Sequence, residues 1–118
     1  MVKVKGGKQH ERDIAKNVAW WCVEHFNLEW WCLNVNIKLG KTKSLDDCWG
    51  TCEESGKKLS YNITIGTDQP IRDFVATIVH EMVHVKQYAT KKWKGEGERE
   101  ANKLQYKLTD KLWKDGIL

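Results

Sequence analysis

The stretch DFVATIVHEMVHVKQY, residues 73–88, carries the pattern around which the other elements of this chain are arranged. Its apolar residues recur at steps of three and four, which predicts an amphipathic helix from about 70 to 90. His80 and His84 lie one turn apart on such a helix, so both imidazoles can reach one metal ion from the same face. Glu81 lies about 100° around the helix from His80, off the metal but close enough to contact a water beside it.

The pentapeptide HEMVH indicates a metal site only if it lies on a helix, and the residues before it favour one. Thr67 and Asp68 can cap a helix, and Pro70 is acceptable in a first turn. The alternative interpretation needs no metal. His80 and His84 would then be surface or hydrogen-bonded core histidines that happen to lie four residues apart, because short motifs also match by chance.

Length and composition are those of one globular domain. The chain has 118 residues, of which 31% are charged, and its net charge of +4 comes from basic residues mixed among acidic ones. Such a surface permits nucleic acid as a partner without supporting it. No apolar run approaches the length of a membrane span, and the opening MVKVKGGK has no hydrophobic signal core. We therefore expect a cytoplasmic protein with a single domain over residues 1–118, a flexible arm at 1–9 and no membrane partner.

The four cysteines are expected to stay reduced in that compartment. They are Cys22, Cys32, Cys48 and Cys52, and none of them forms the C-x-x-C pair of a structural zinc site. Buried thiols are the main expectation, and a disulfide between Cys48 and Cys52 is the alternative.

Outside residues 73–88, hydrophobic periodicity predicts two further helices and about three strands. Period two marks the strands, as where Leu33, Val35, Ile37 and Leu39 alternate with polar residues. The expected elements are a first helix at 11–26, strands at 33–39, 48–53 and 59–65, the motif helix at 70–90 and a final helix at 98–114, with loops at 40–47 and 91–97. This order predicts an α+β domain with the sheet packed on helices.

A catalytic zinc site normally takes three protein ligands and leaves the fourth position for water. No third histidine follows His84, which excludes the H-E-x-x-H-x-x-G-x-x-H arrangement. A carboxylate must therefore complete any such site.

The segment Glu98-Arg-Glu-Ala-Asn102 resembles the E-x-x-A-D signature of the gluzincins, zinc metallopeptidases in which a helix downstream of the motif donates a glutamate. The resemblance implies that Glu98 joins His80 and His84 in holding a single zinc ion, and that Asn102 supports a ligand histidine. Asparagine stands where the family commonly has aspartate, which implies a less polarised imidazole and weaker catalysis.

Other roles for the acidic residues near the start of the final helix stay open. Glu100 is a rival ligand in the same first turn, but it lies about 200° from Glu98 around the helix, nearer the solvent side. Alternatively, Glu96, Glu98 and Glu100 all serve only to complement the positive end of the helix dipole.

The resemblance extends to small SprT-like proteins, which share the order of helix, sheet and motif helix and often have a glutamine three residues after the second histidine, as at Gln87. In length the chain is similar to minimal stand-alone gluzincins, and the matching region spans roughly residues 59 to 106. The fold that this implies is a minimal zincin with an N-terminal helix, a sheet of about three strands, the motif helix and a C-terminal helix.

The function that the resemblance implies is peptide-bond hydrolysis, with Glu81 as the general base towards a water activated by zinc. An extended protein or peptide substrate would pair with a sheet edge, for which Trp49-Gly50-Thr51 is the candidate strand. The alternative for this segment is an ordinary edge strand with Trp49 in the core. Three tyrosines are candidates by residue type for stabilising the oxyanion: Tyr61, Tyr88 and Tyr106.

Two other functions remain open. The SprT-like resemblance suggests a peptidase that acts on proteins bound to DNA, but the chain lacks a zinc ribbon or arginine-rich extension that would support it. A catalytically weak or inactive zincin-like domain would instead bind metal and act as a protein-interaction module, for which Asn102 is the hint. Glu81 argues against the module, because zinc binding alone does not need a base.

Overall fold

The computed structural model describes residues 1–45, 48–91 and 97–117, which form a mixed sheet and three α-helices. The elements are β1 (Val2–Gly6), α1 (Gln9–His25), β2 (Asn34–Gly40), β3 (Gly50–Glu54), β4 (Ser60–Gly66), α2 (Ile71–Thr90) and α3 (Glu98–Lys114), with short 3₁₀ turns at Glu29–Trp31 and Thr42–Leu45. This confirms the predicted α+β class. The predicted ranges of the motif helix and the final helix agree with α2 and α3 to within one residue.

The sheet has four strands in the order β1-β2-β4-β3. β1 and β4 both run parallel to β2, whereas β3 is antiparallel to β4 and occupies one edge. In β2, Val35, Ile37 and Leu39 are buried while the residues between them are exposed. This is the period of two that a half-buried strand requires.

The prediction of a flexible arm at residues 1–9 is wrong for β1. Val2 and Val4 alternate with Lys3 and Lys5, and Val2 is only 4% exposed. β1 pairs with β2 in parallel, with Val2 opposite Val35. Five residues of alternation are too short to distinguish a strand from a tail in the sequence, because the pairing partner lies more than thirty residues away.

Helix α2 is the central element of the core and contacts α1, α3, β3 and β4. Its apolar stripe is almost fully buried, and each valine, isoleucine, methionine or phenylalanine in it contributes about 1.5–3 kcal/mol relative to an exposed one. The buried apolar residues of α2 are Phe74, Val75, Ala76, Ile78, Val79, Met82, Val83, Val85 and Ala89. Because α2 is packed on several sides, the directions of its buried side chains are closely constrained.

The start of α2 differs from the predicted capping. Pro70 is the N-cap residue, and no side chain caps the helix. Asp68 instead accepts hydrogen bonds from the backbone N and the Oγ1 of Thr42, each at 2.8 Å. These bonds hold the pKa of Asp68 below its ordinary value. Asp68 therefore ties the loop before α2 to the 3₁₀ turn that begins at Thr42.

None of the four cysteines takes part in a disulfide, so the alternative of a Cys48–Cys52 link is wrong. The expectation of buried thiols holds for Cys22 alone, since Cys52 is half-buried and Cys32 and Cys48 are exposed. The predicted loops at 40–47 and 91–97 lie partly outside the described residues, and Glu96 lies wholly outside them. Within the described ranges, none of the helices combines the length and apolarity needed to cross a membrane.

Candidate metal centre

Contacts between α2 and α3 show that the two helices run antiparallel. Arg72, near the start of α2, pairs with Asp110, near the end of α3, at 3.0 Å. Lys86, near the end of α2, has its Nζ 3.7 Å from a carboxylate oxygen of Glu100, in the first turn of α3. The first turn of α3 therefore lies beside the second half of α2, where the two histidines are.

Glu98 meets both histidines of the motif. Its Oε1 lies 2.6 Å from the Nε2 of His84, and its Oε2 lies 3.1 Å from the Nε2 of His80. The two imidazole rings are 5.0 Å apart between centroids and nearly perpendicular, at 76°. Their side chains are only 14% and 11% exposed, whereas that of Glu98 is 53% exposed. Two largely buried imidazoles thus face one carboxylate that is half-exposed to solvent.

This arrangement fits a zinc ion. Zinc binds histidine nitrogen and carboxylate oxygen at about 2.0–2.2 Å, so tetrahedral ligands lie roughly 3.3 Å from one another. The observed 2.6 and 3.1 Å between Glu98 and the ring nitrogens are shorter than this by about 0.7 and 0.2 Å. Because the Glu98 side chain is half-exposed, it can withdraw by that amount without disturbing the core.

A glutamine holds the other nitrogen of each ring. The Nδ1 of His80 lies 2.6 Å from the Oε1 of Gln105, and the Nδ1 of His84 lies 2.8 Å from the Oε1 of Gln87. An amide oxygen can only accept, so each Nδ1 carries the proton and donates it. In the neutral form of each ring the lone pair is then on Nε2, which is the tautomer that a ligand histidine needs.

The orientation of the Gln87 amide is determined by two further contacts. Its Nε2 donates to the carbonyl oxygen of Gly97 and to the Oε1 of Glu100, each at 2.9 Å. Both of these atoms can only accept, so the amide oxygen must be the atom that faces His84. Gln87 is 3% exposed, and the packing of the α3 start around it leaves no room for a side chain at Gly97.

The predicted supporting role of Asn102 is wrong. Asn102 is exposed, and the four ring nitrogens of the two motif histidines have Glu98, Gln87 and Gln105 as partners. The sequence does contain a signal for both glutamines. Gln87 follows His84 by three residues, and Gln105 follows Glu98 by seven, so each lies on the same helix face as the residue it follows.

The rotation of α3 about its own axis explains why Gln105, and not the predicted Asn102, contacts a motif histidine. Measured from Glu98 at 100° per residue, the buried Ala101, Leu108 and Leu112 lie at about −60°, −80° and −40°. Gln105 lies at about −20°, close to this buried face, whereas Asn102 lies at about +40° and points away. Packing of the apolar stripe therefore decides which polar residue reaches the histidines.

The structure also separates the roles of the acidic residues. Glu100 contacts Gln87 and Lys86 but not the histidines, so it helps to hold the Gln87 amide that contacts His84. A carboxylate oxygen of Glu81 lies within 4.8 Å of a ring nitrogen of His80 and of His84, and these three form a possible ligand cluster among the described residues. Glu98 is the better third ligand, because it already meets both Nε2 atoms at hydrogen-bond distance.

Glu81 is buried between α2 and the edge strand. It is 5% exposed, and burial raises its pKa from the ordinary 4.5 to about 7, while His84 lowers it and Glu98 raises it further. A Cβ at Gly50 would lie 3.1 Å from its Oε2 and 2.6 Å from the methyl carbon of Thr77, which is closer than two carbon atoms can approach without a shift. Gly50 therefore allows β3 to approach the Glu81 carboxyl.

An open cleft of about 650 Å³ lies beside this centre, with Gly50, His80, Glu81 and Gln105 among its lining residues. Trp49 also lines it and is 52% exposed, so the alternative that places Trp49 in the core is wrong.

The three candidate tyrosines separate in the structure. Tyr106 lines the cleft, and its hydroxyl donates to the Oδ1 of Asp73 at 2.6 Å. Tyr61 and Tyr88 stack on each other with centroids 6.1 Å apart and line a different cavity. Only Tyr106 is thus placed beside the cleft that contains Glu81 and His80.

No protein-family model matches this chain, and no significant similarity links it to a curated protein or to a solved structure. The geometry of the centre is therefore the evidence on which a functional assignment depends.

Proposed function

We propose that this protein is a zinc-dependent metallopeptidase with a minimal, gluzincin-like and SprT-like fold. The proposal is supported above all by the convergence of both histidine Nε2 atoms on Glu98, at 2.6 and 3.1 Å, beside an open cleft. His80, His84 and Glu98 would hold one zinc ion, which when bound supplies activation of a water and polarisation of a carbonyl.

Glu81 would act as the general base. Its carboxyl lines the cleft, and a pKa of about 7 suits a group that must both accept and release a proton near neutral pH. A carboxylate oxygen of Glu81 would take the proton of the attacking water and deliver it to the leaving amine. Glutamine at this position would keep the shape of the side chain but could not accept the proton.

The proposed substrate is a protein or peptide in extended form. β3 is an edge strand, so the backbone groups on its free side can pair with an added strand. Gly50 brings that edge to the Glu81 carboxyl. Tyr106, the candidate tyrosine that lines the cleft, is the proposed donor to the oxyanion, for which its hydroxyl would turn away from Asp73.

A cytoplasmic location is part of the same proposal. It is supported by the four cysteines, which are not in disulfides although three of them are at least partly exposed to solvent. Such thiols persist in a reducing compartment and tend to oxidise outside one.

The test is zinc stoichiometry and peptide hydrolysis in the same set of variants. Purified without chelator, the wild type is expected to carry one zinc per chain, and Glu98→Ala to lose it. Asn102→Ala is the matched control, because it lies one turn along the same helix and is exposed. Glu81→Gln is expected to retain zinc and to lose hydrolysis of a quenched fluorescent peptide library, since the ligands remain but the base does not.

Two results would contradict the proposal. If the folded wild type takes up no added zinc, the histidines are structural and the metal centre is wrong. If it binds zinc but Glu81→Gln and the wild type are equally without hydrolysis over the whole library, the chain is a metal-binding interaction module instead.

A further inference from the structure

A second cleft, of about 690 Å³, combines exposed aromatic rings with lysines. We call it the aromatic cleft and define it by Trp30, Trp31, Tyr88, Lys57, Lys58 and Lys91. Trp30 is 87% exposed and Trp31 is 40% exposed. Leaving a tryptophan in water forgoes a large favourable burial, and tryptophan is the residue most enriched where binding energy is concentrated. The aromatic cleft therefore has the character of a binding surface.

The charges of the aromatic cleft favour an anionic occupant. Lys57, Lys58 and Lys91 are exposed, and no ion pair within 4.0 Å joins any of them to an acidic residue in the described part of the chain. Glu54 is the one carboxylate among the lining residues that the structure describes. Three positive charges against one negative charge attract an acidic ligand while the rings take up its apolar parts.

The edge strand connects the aromatic cleft to the metal centre. β3 runs from Gly50, beside Glu81, to Glu54, which lines the aromatic cleft. Four residues of strand cover roughly 13 Å. A peptide paired along the free edge of β3 would therefore reach the aromatic cleft about four residues from the point where it passes Glu81.

We infer that the aromatic cleft binds an acidic peptide segment with aromatic side chains, and that this segment selects the substrates cleaved at the metal centre. The second half of this inference rests on the proposed function. A peptide fits better than single-stranded nucleic acid because the edge of β3 offers N–H and C=O groups that pair with another main chain.

Binding is tested on the full chain with the Glu81→Gln substitution, so that no probe is consumed. The probes are a labelled peptide of about twelve residues made of glutamate, glycine and phenylalanine, the same peptide with lysine for glutamate, and an oligothymidylate of equal length. Fluorescence anisotropy is expected to rank the acidic peptide first by about tenfold or more. Trp30→Ala should weaken its binding about tenfold, and Lys57→Glu with Lys58→Glu should reverse the preference between the two peptides.

Matched substitutions on α3 separate this site from general surface effects. Trp113→Ala removes another exposed tryptophan, at 39% exposure, and Lys103→Glu reverses another exposed lysine. Neither is expected to change the affinity for the acidic peptide. Equal losses in Trp30→Ala and Trp113→Ala would overturn the inference, and so would tighter binding of the oligothymidylate that is lost with the same lysines.

Hydrolysis by the chain with Glu81 intact separates failure of the inference from failure of the proposed function. Cleavage of the acidic peptide that falls with Trp30→Ala supports both. Cleavage that is unaffected by Trp30→Ala and by the paired lysine reversals overturns the inference and leaves the peptidase standing. Selective binding of the acidic peptide without any cleavage supports the binding half, overturns the substrate-selection half and counts against the peptidase itself.

Discussion

Replacing Gly97 with alanine would place a methyl group where the side-chain amide of Gln87, which contacts His84, now lies. Gly97 is buried and has a φ of +80°, in the left-handed region. A Cβ there would overlap the Oε1 of Gln87 and lie 2.8 Å from its Cδ. That Oε1 accepts the hydrogen bond from the Nδ1 of His84. Gln87 must therefore move, and the tautomer and orientation of a proposed zinc ligand are no longer determined.

The cost of Gly97→Ala has two parts. The left-handed backbone costs roughly 1–2 kcal/mol for any residue with a Cβ. Displacing the buried Gln87 amide from its three partners adds about 1–3 kcal/mol. A total of about 3 kcal/mol corresponds to a melting temperature lower by roughly 10 °C for a domain of this size. Loss of an orienting partner typically weakens metal affinity by about 10- to 100-fold.

Gly56→Ala is the matched control. Gly56 has a similar φ of +90°, but no atom lies within 4 Å of the position its Cβ would take. It carries the backbone cost alone, so its melting temperature should fall by about half as much and its zinc affinity should not change.

The assay is thermal unfolding of the zinc-free variants by circular dichroism, followed by zinc titration against a chromogenic chelator. If Gly97→Ala and Gly56→Ala bind zinc equally well, Gln87 does not orient a ligand, and the link between the glutamine and the metal centre is refuted. Equal melting temperatures would refute the overlap at Gly97 itself.

Three further outcomes follow from the geometry. Gln105→Leu should weaken zinc binding about 10- to 100-fold, because it leaves the Nδ1 of His80 without an acceptor. Asn102→Leu should leave zinc binding unchanged, and the same chelator titration compares the zinc affinities of the two variants. Because the pKa of Glu81 is raised from 4.5 to about 7, its contribution to stability is complete below pH 4.5 and is lost as pH rises through about 7. The free energy of unfolding of zinc-free Glu81→Gln should thus equal that of the wild type near pH 4.5 and exceed it by about 3 kcal/mol above pH 7. Urea unfolding over this pH range measures the difference, and a difference that does not change with pH would contradict the burial of this carboxyl. Gly50→Val should force β3 away from the Glu81 carboxyl and lower the rate of peptide hydrolysis with little change in zinc affinity, measured by kinetics at saturating zinc.

Local periodicity was sufficient for much of the fold. The three- and four-residue spacing of apolar residues predicted α2 at 70–90 and α3 at 98–114, against Ile71–Thr90 and Glu98–Lys114 in the structure. Alternation likewise predicted β2 and β4. β1 was missed because its five residues gain their stability from pairing with β2, a contact that no local pattern contains.

The spacing of His80, Glu81 and His84 was decided by the sequence, because three residues on one helix keep fixed angles whatever surrounds them. Their surroundings were decided only by the tertiary structure. Packing of the apolar face of α3 against α2 determines the rotation of α3, and that rotation brings Glu98 and Gln105 to the histidines while it turns Asn102 towards solvent. Side chains on separate helices meet at positions set by the packing of the whole core. The second helix of the centre could therefore be located from the sequence, but the choice between Asn102 and Gln105 as its orienting residue could not be made.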